Sequence, residues 1–569
     1  MVRCFSGYWT IIVPPKTLEE TIAEAYLFVW RRWRGGYGHS PWAAFRRWHL
    51  FVAVFCVQAV CGSMWSVTSA LSQPLEVHFY GSPNTNKVVN VLYTACTAMG
   101  IAAAFAGPAL ERRGPRWGMT AGTSSISLGY AIIQIAVATT SQGLLYTGAV
   151  AAGGGFGLLM LVSTCTAQKW CPDLRGVVTG ISCFSWGIGS AVFDSFFRTL
   201  VALPSLGLSV VFTIFLASIL PVLVLCSLVL RTPPPSFQVH GKNMHSIPVA
   251  SAPSAAKVQD EFLNVGMTLV NYDIVRRSSG SNDLEGTDRR YFEQVQALTL
   301  VQCIASTDFL CLYVAFGATA TAGLVYIELH ISSDDAGNLR FWYPALSAEA
   351  AQSYQVTCLW INWASRLAYP MLSDLLIRVL YANPAFARKL FLWALILAQA
   401  IALLVSLRGD AIASDVAVFV RTTYVLRVAT GGGASLIICL LTDMYGVYNM
   451  GTMYGLIITS WSLGMVVVSE SFSGDKDMFV TQIRALAAFA VAGSLLMVFV
   501  RTNSKDRFFR GYQLTVFDRV LVQLPWFSPT ASVDGYHDVV LLSPDRSSIF
   551  MWSSEDEMDY RPNTRSLSV

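Results

Sequence analysis

Twelve apolar runs, near residues 50–73, 88–108, 117–138, 143–166, 176–200, 207–231, 308–328, 353–377, 389–407, 418–441, 453–472 and 479–500, dominate the sequence. A helix needs about 20 apolar residues to cross the hydrocarbon core, and there only a helix or a closed barrel satisfies its own backbone. The runs therefore predict an all-α polytopic membrane protein with twelve transmembrane helices. Composition agrees: of 569 residues 54% are hydrophobic and 13% charged, against about 25% charged in soluble domains. That excludes a disordered chain, a collagen, a disulfide scaffold and a soluble enzyme of ordinary make-up. The net charge of +4 is spread over loops, so lipid and not nucleic acid is the expected macroscopic partner. The 12 cysteines fall mostly inside apolar runs, with no CxxC pair and no His–Cys ligand spacing. They read as small buried apolar residues, and neither a metal nor a cofactor is expected.

The runs divide six and six around a polar segment of about 60 residues, Arg231 to Arg290, rich in Ser, Pro and charge. Five regions follow: an arm over 1–47, a six-helix bundle over 48–231, a linker over 232–306, a second six-helix bundle over 307–501, and a tail over 502–569. The arm has no uninterrupted apolar stretch of the kind a cleaved signal peptide carries. Thr17 and Glu20 form a capping-box pattern ahead of Ala25, Tyr26, Leu27, Val29, Trp30 and Trp33, which predicts a short interfacial helix. The stretch 291–306 is expected to be a surface helix, because starting the seventh span later keeps the Asp308 carboxylate at the membrane's edge. No apolar period enters 240–285, so transport is expected to survive its deletion.

Arg112, Arg113, Arg116, Lys169, Arg175, Arg378, Arg388 and Lys389 lie near span ends on one side, together with the basic arm and Arg501, Lys505, Arg507 and Arg510. The other side offers mainly Lys87, Arg198, Arg340, Arg408 and Lys476. By the positive-inside rule both termini are expected in the cytosol.

The loop after the second span reads GPALERRGPR, Gly107–Arg116, and the loop after the eighth reads SDLLIR, Ser373–Arg378. A helix-end carboxylate facing Arg across a tight turn is a basis for a latch between two docked arrangements. Glu111, Arg112 and Arg116, with Asp374 and Arg378, are its candidate residues. Within the spans, Arg366 lies near the middle of WINWASRLAYPMLSD, with no acidic residue three or four positions away. A fixed cation at that depth persists where it faces a polar cavity or a partner. Arg427, near the centre of the tenth span, could face the cavity or snorkel outward. Asp194 and Arg198, at i and i+4, read as a satisfied pair. None of the seven histidines lies inside a predicted span, leaving carboxylates such as Glu111, Asp194 and Asp308 as proton-carrying candidates.

Six plus six spans with the Gly107 loop resemble the major facilitator superfamily. The run KWCPDLRGVVTGI, Lys169–Ile181, after Gly153, Gly154, Gly155 and Gly157, resembles the oxalate/formate antiporter family within it, which is monocarboxylate transporter-like. So do Trp65–Val67 and the set Asp443, Tyr445, Gly446, Gly451, Tyr454 and Gly455. The resemblance implies two bundles rocking about a central cavity, with Arg366 as the carboxylate-binding arginine. Trp461 stands where the family's oxalate carrier has a lysine, and Ser63 and Met160 stand near positions where it has tyrosines. The implied substrate is a small organic anion, in the first place a monocarboxylate such as formate, lactate or pyruvate, moved with a coupled proton or a counter-anion. Trp65, Trp461 and Tyr369 would wall the site. A dicarboxylate or amino acid carrier is the alternative if Arg427 faces inward; a non-transporting receptor, signalling through the acidic run Glu555, Asp556, Glu557 and Asp559, is another. No Walker A, HExxH or GxSxG motif supports enzymatic chemistry.

Overall fold

The computed structural model describes residues 7–11, 13–32, 36–40, 42–82, 87–203, 207–247, 291–331, 347–380, 382–471, 476–502, 507, 511–516 and 519–525. The middle of the linker and the acidic run near 555 lie outside them. Eleven long helices carry the first compact unit, Met1–Val500: α1 (Arg47–Tyr80), α2 (Lys87–Arg113), α3 (Pro115–Thr139), α4 (Gln142–Trp170), α5 (Arg175–Ala202), α6 (Gly207–Val229), α7 (Thr307–Ile331), α8 (Ala348–Leu380), α9 (Pro384–Ser406), α10 (Val416–Ser471) and α11 (Lys476–Val498). Local chemistry sets several ends. Gly81 closes α1 in the left-handed conformation (φ 74°), and Asn383 accepts from the Phe386 N–H at 3.2 Å with Pro384 opening α9.

Helix α10 is continuous in name only. Gly446 adopts φ 80° and ψ 163°, a region essentially restricted to glycine, so the chain turns and the arms 416–445 and 447–471 supply the tenth and eleventh predicted spans. Among the described residues nine helices are long and apolar enough to cross a membrane, α10 counting once. The molecule is an integral, multi-pass membrane protein, and this helix set is consistent with twelve passes.

Helices α1–α6 form one bundle, with α1 against α5, and α2 and α3 against α4; in the other, α7, α8 and α9 pack on α10, and α11 packs on α7 and α9. The bundles meet along two seams, α2 on α10 and α5 on α8. The α4 glycines act unequally. A Cβ at Gly153 would lie 2.1 Å from the Ala95 carbonyl oxygen and one at Gly157 2.3 Å from that of Met99, both on α2, whereas Gly154 has nothing nearer than 3.6 Å.

The arm departs from expectation. Thr17 does cap, accepting from the Glu20 N–H at 3.2 Å, but the helix covers only Leu18–Ala23. Beyond it Val29–Arg31 (β1) and Tyr37–His39 (β2) pair antiparallel, because the aromatic and β-branched residues there suit a ribbon better than a helix. The arm is docked on the bundle: Arg231, 1% exposed, donates to the carbonyls of Glu24, Tyr26 and Leu27 and lies 4.0 Å over the Phe45 ring. The second unit, Arg501–Val569, carries an antiparallel hairpin, Gly511–Val516 (β3) with Arg519–Pro525 (β4).

The close approach of α4 to α2 makes a graded prediction. Gly153→Ala should destabilise the detergent-solubilised protein by roughly 1–3 kcal/mol through overpacking, while Gly154→Ala should be near neutral. Thermal unfolding of the two variants checks this, and equal midpoints would contradict it.

Candidate substrate cavity and its closed end

A cavity of about 820 Å³ lies between the bundles. It runs from Gln58, Thr164 and Ile438 in the interior to Gln73, Val201 and Ala202 near the far ends of α1 and α5, where it is open. Four charged side chains line it: Arg366 on α8, Arg427 on the first arm of α10, and Asp194 with Arg198 on α5. Asp194 is engaged, accepting from Arg198 Nε at 2.9 Å and from Ser69 Oγ at 2.5 Å. Arg366 and Arg427 differ. Among the described residues no carboxylate pairs with either, and Arg427, 8% exposed, holds a buried Nε with no hydrogen-bond partner. Arg427 therefore belongs to the cavity wall instead of snorkelling outward.

Trp65 and Trp461 come from opposite bundles and meet edge to face, with centroids 6.0 Å apart, on the cavity wall. Tyr369 does not join them. It turns away from the cavity and packs on Gly432, Phe391 and Leu395, because α8 presents Arg366 and Asn362 to the cavity while position 369 falls on the face toward α9 and α10. Two lining residues carried no signal in the sequence, Gln58, whose amide donates to Ser163 and Thr164, and Asn362; a third, Tyr454, entered only through the family pattern.

Opposite the open end, the bundles are joined by ion pairs. Asp443, at the end of the first arm of α10, accepts from Arg175 of α5 at 2.6 Å and also pairs with Arg388 of α9. Arg388 in turn donates to Asp374 of α8 at 3.0 Å. The other Asp374 oxygen accepts the Val177 N–H at 3.0 Å, so a carboxylate of one bundle caps the N-terminus of α5 in the other. Gly176 permits this approach: a Cβ there would sit 2.2 Å from the Pro370 carbonyl oxygen.

The partners differ from those the loop motifs suggest. Glu111 pairs with Lys169 and not with Arg112 or Arg116; Arg116 pairs with Glu24 of the arm at 2.9 Å, and Arg112 donates to the Tyr8 carbonyl. Arg378 reaches across to the Asp173 carbonyl at 2.8 Å and leaves Asp374 to Arg388. In the sequence Arg388 stands out only as a topogenic charge, Arg175 as a topogenic charge within the Lys169–Ile181 run, and Asp443 only as part of a pattern.

Both described ends of the linker lie on this closed end, and residues 291–297 and 300–304 are helical, as expected of a surface helix, with one face buried. Arg175 donates to the Met244 carbonyl at 3.3 Å, and the His245 ring meets Tyr448 at 5.0 Å. Asn243 holds the turn by accepting from the N–H groups of His245 and Ile247. On the other side Tyr291, Phe292 and Val295 are buried, Tyr291 Oη donates to the Asp443 carbonyl at 3.2 Å, and Asn449 donates to the Leu298 carbonyl at 2.9 Å. Burial, with the Arg175 and Lys169 cations nearby, pushes the His245 imidazole down to about 4.

A two-bundle helical fold meeting on two seams, with a cavity open at one end and closed by ion pairs at the other, is the architecture of a membrane transporter. Residues 50–469 match the family model of the Major Facilitator Superfamily, and the chain belongs to that superfamily. Over 204 residues it is 24% identical to the oxalate:formate antiporter of Oxalobacter formigenes, an alignment covering 34% of this chain and 45% of that protein; the chain thus matches less than half the length of this relative. Among solved structures it resembles a major facilitator proton:xylose symporter bound to 6-bromo-6-deoxy-D-glucose, with a TM-score of 0.53, 13% identity, and coverage of 80% of this chain and 96% of that one. The Escherichia coli fucose:proton symporter aligns with a TM-score of 0.49 and 14% identity over 79% of this chain and 99% of that chain.

Two predictions follow from the closed end. Removing the charge of Asp443 leaves Arg175 and Arg388 buried without their shared counter-ion, a loss of about 3–5 kcal/mol. Asp443→Asn should therefore raise maleimide labelling of Cys439, which is hydrogen-bonded to Thr179 across the α5–α10 contact, at least about tenfold; mass spectrometry reads this, and an unchanged rate would contradict it. Because folding lowers the His245 pKa below its ordinary 6.5, its stabilisation is present above pH 6.5 and fades as pH falls toward 4. Wild type should lose more thermal stability between pH 7.5 and 5 than His245→Gln, and parallel pH profiles would contradict that.

Proposed function

We propose that this protein is a secondary transporter of small organic anions, with Arg366 as the group that receives a carboxylate. The observation that carries the reading is a pair of cations, Arg366 and Arg427, on the wall of the inter-bundle cavity with no acidic partner among the described residues. A guanidinium fork matches a carboxylate bidentately, and a carboxylate entering the cavity supplies the missing counter-charge. Trp65 and Trp461 would provide the apolar wall. The similarity to an oxalate:formate antiporter supports the same substrate class.

The family resemblance favours one carboxylate, since Trp461 stands where the family's oxalate carrier has a lysine. Arg427 on the cavity wall moves the reading toward two: a dicarboxylate balances both guanidiniums, whereas a monocarboxylate such as lactate or pyruvate leaves one uncompensated. The concentration of basic residues near the Asp443 end supports a cytosolic location for it and for both termini; the conformation seen is then outward-open. Inward opening requires the Arg175–Asp443 pair and the Asp374 cap on the Val177 N–H to part as the bundles rock, with movement coupled to a proton or a counter-anion.

Uptake of labelled carboxylates into proteoliposomes, with and without a pH gradient, tests this. Two charge-assisted hydrogen bonds of about 1.5–3 kcal/mol each are at stake, so Arg366→Gln should lower uptake about a hundredfold or more and Arg366→Lys less, because charge remains but the fork is lost. Arg427→Gln should weaken dicarboxylates far more than monocarboxylates. Full activity in Arg366→Gln would show that the site lies elsewhere, and equal losses for both substrate classes in Arg427→Gln would remove the case for two carboxylates.

A further inference from the structure

The two cavity cations are joined by a single side chain. Asn362 lies one helical turn before Arg366 on the same face of α8, and its Oδ1 accepts from Arg366 Nε at 3.0 Å. Its Nδ2 donates to the main-chain carbonyl of Arg427 on α10 at 3.1 Å. Asn362 is 8% exposed, and α10 can come this close only because residue 431 is glycine: a Cβ there would stand 2.4 Å from the Asn362 carbonyl oxygen and 2.2 Å from Ser365 Oγ. The amide orientation is fixed by chemistry, because reversing it would set an N–H against the guanidinium N–H and an oxygen against a carbonyl.

We propose that Asn362 is the positioning and specificity-determining residue of the anion site. The inference rests on the reading of Arg366 as carboxylate receptor. By engaging Nε, Asn362 holds the guanidinium by its flank and leaves the terminal Nη1 and Nη2 for the substrate. By bonding the Arg427 carbonyl, it ties the helix that carries the second cation to the helix that carries the first, and so sets the spacing a substrate must match. Only an amide does both. Aspartate would accept from Arg366 but has no donor for the carbonyl, and its charge would neutralise the cation that the substrate is to meet. Leucine would do neither. Asparagine is thus a neutral strut that orients Arg366 without occupying its charge.

The near-isosteric change Asn362→Asp makes the test. It sets an internal carboxylate beside Arg366, so anion uptake into proteoliposomes at pH 7.5 should fall at least about tenfold. Expressed relative to wild type at each pH, it should recover as the medium is acidified, since the protonated acid again resembles the amide. Asn362→Ala, which removes both bonds without adding charge, should raise KM about tenfold with kcat changed much less, and should narrow the difference in KM between short and long dicarboxylates. Retention of wild-type uptake by Asn362→Asp at pH 7.5, or an acid-insensitive loss together with an unchanged KM in Asn362→Ala, would overturn the role of Asn362. If Asn362→Asp does not fold, the KM of Asn362→Ala decides alone. Arg366→Gln, assayed alongside, separates the two readings: loss of uptake there with undiminished uptake in both Asn362 variants overturns only the strut, whereas undiminished uptake in Arg366→Gln overturns the anion site itself.

Discussion

Burying a charge in a low-dielectric interior is costly unless an opposite charge meets it, and the interior charges of this protein are arranged in two contrasting ways under that constraint. On the side of the closed end Arg231 is met by main-chain carbonyls of the arm, and the buried charges beside the bundle contact each have a charged counterpart: Lys169 with Glu111, and Arg175 and Arg388 with Asp443 and Asp374. In the cavity Arg366 and Arg427 have none among the described residues. The first set is internally compensated and can favour one docked arrangement of the bundles over another. The second set is compensated only by something that enters. In the proposed function, conformational control and ligand recognition use the same kind of side chain in opposite states of charge balance.

The closed end is more than a meeting of two loops. Asp443 touches a bundle on either side, Asp374 caps a helix it does not belong to, and the linker lays Met244 and His245 on one flank and Tyr291 and Leu298 on the other. Separation of the bundles at this end must undo together the contacts that cross between them, the Arg175–Asp443 pair and the Asp374 cap on the Val177 N–H, and such a coupled set makes a two-position device instead of a continuously yielding joint. The break at Gly446 lies beside this network, three residues after Asp443, and Val295 of the linker packs 3.4 Å from where its Cβ would be.

Much of the architecture was legible in the sequence because membrane crossing imposes a length and a composition that few other constraints mimic. The twelve runs, the division into halves and the depth of Arg366 all follow from that. What could not be read were contacts between residues far apart in sequence. Glu111 and Lys169 are separated by 58 positions, and Arg175 and Asp443 by 268, so local spacing pointed to the nearer arginines of the loop motifs. Tyr369 was expected on the cavity wall, but it lies three residues from Arg366, a rotation of about 300° along the helix, and packing against Gly432 and Phe391 decided its face. Arg427 was ambiguous for a related reason: its depth was readable, whereas its rotation depended on the neighbours of α10. The arm residues 25–39 carry apolar residues without a helical period, and pairing as strands was the outcome.

The central claim is that the cavity cations serve transport and not binding alone, and counterflow measures that most directly. Proteoliposomes containing the purified protein would be loaded with unlabelled dicarboxylate and diluted into a trace of the labelled anion. The account predicts transient accumulation of label above equilibrium, dependent on internal anion and absent in Arg366→Gln. Saturable binding of the labelled anion without trans-stimulated accumulation would contradict it, and would identify a receptor in place of a carrier.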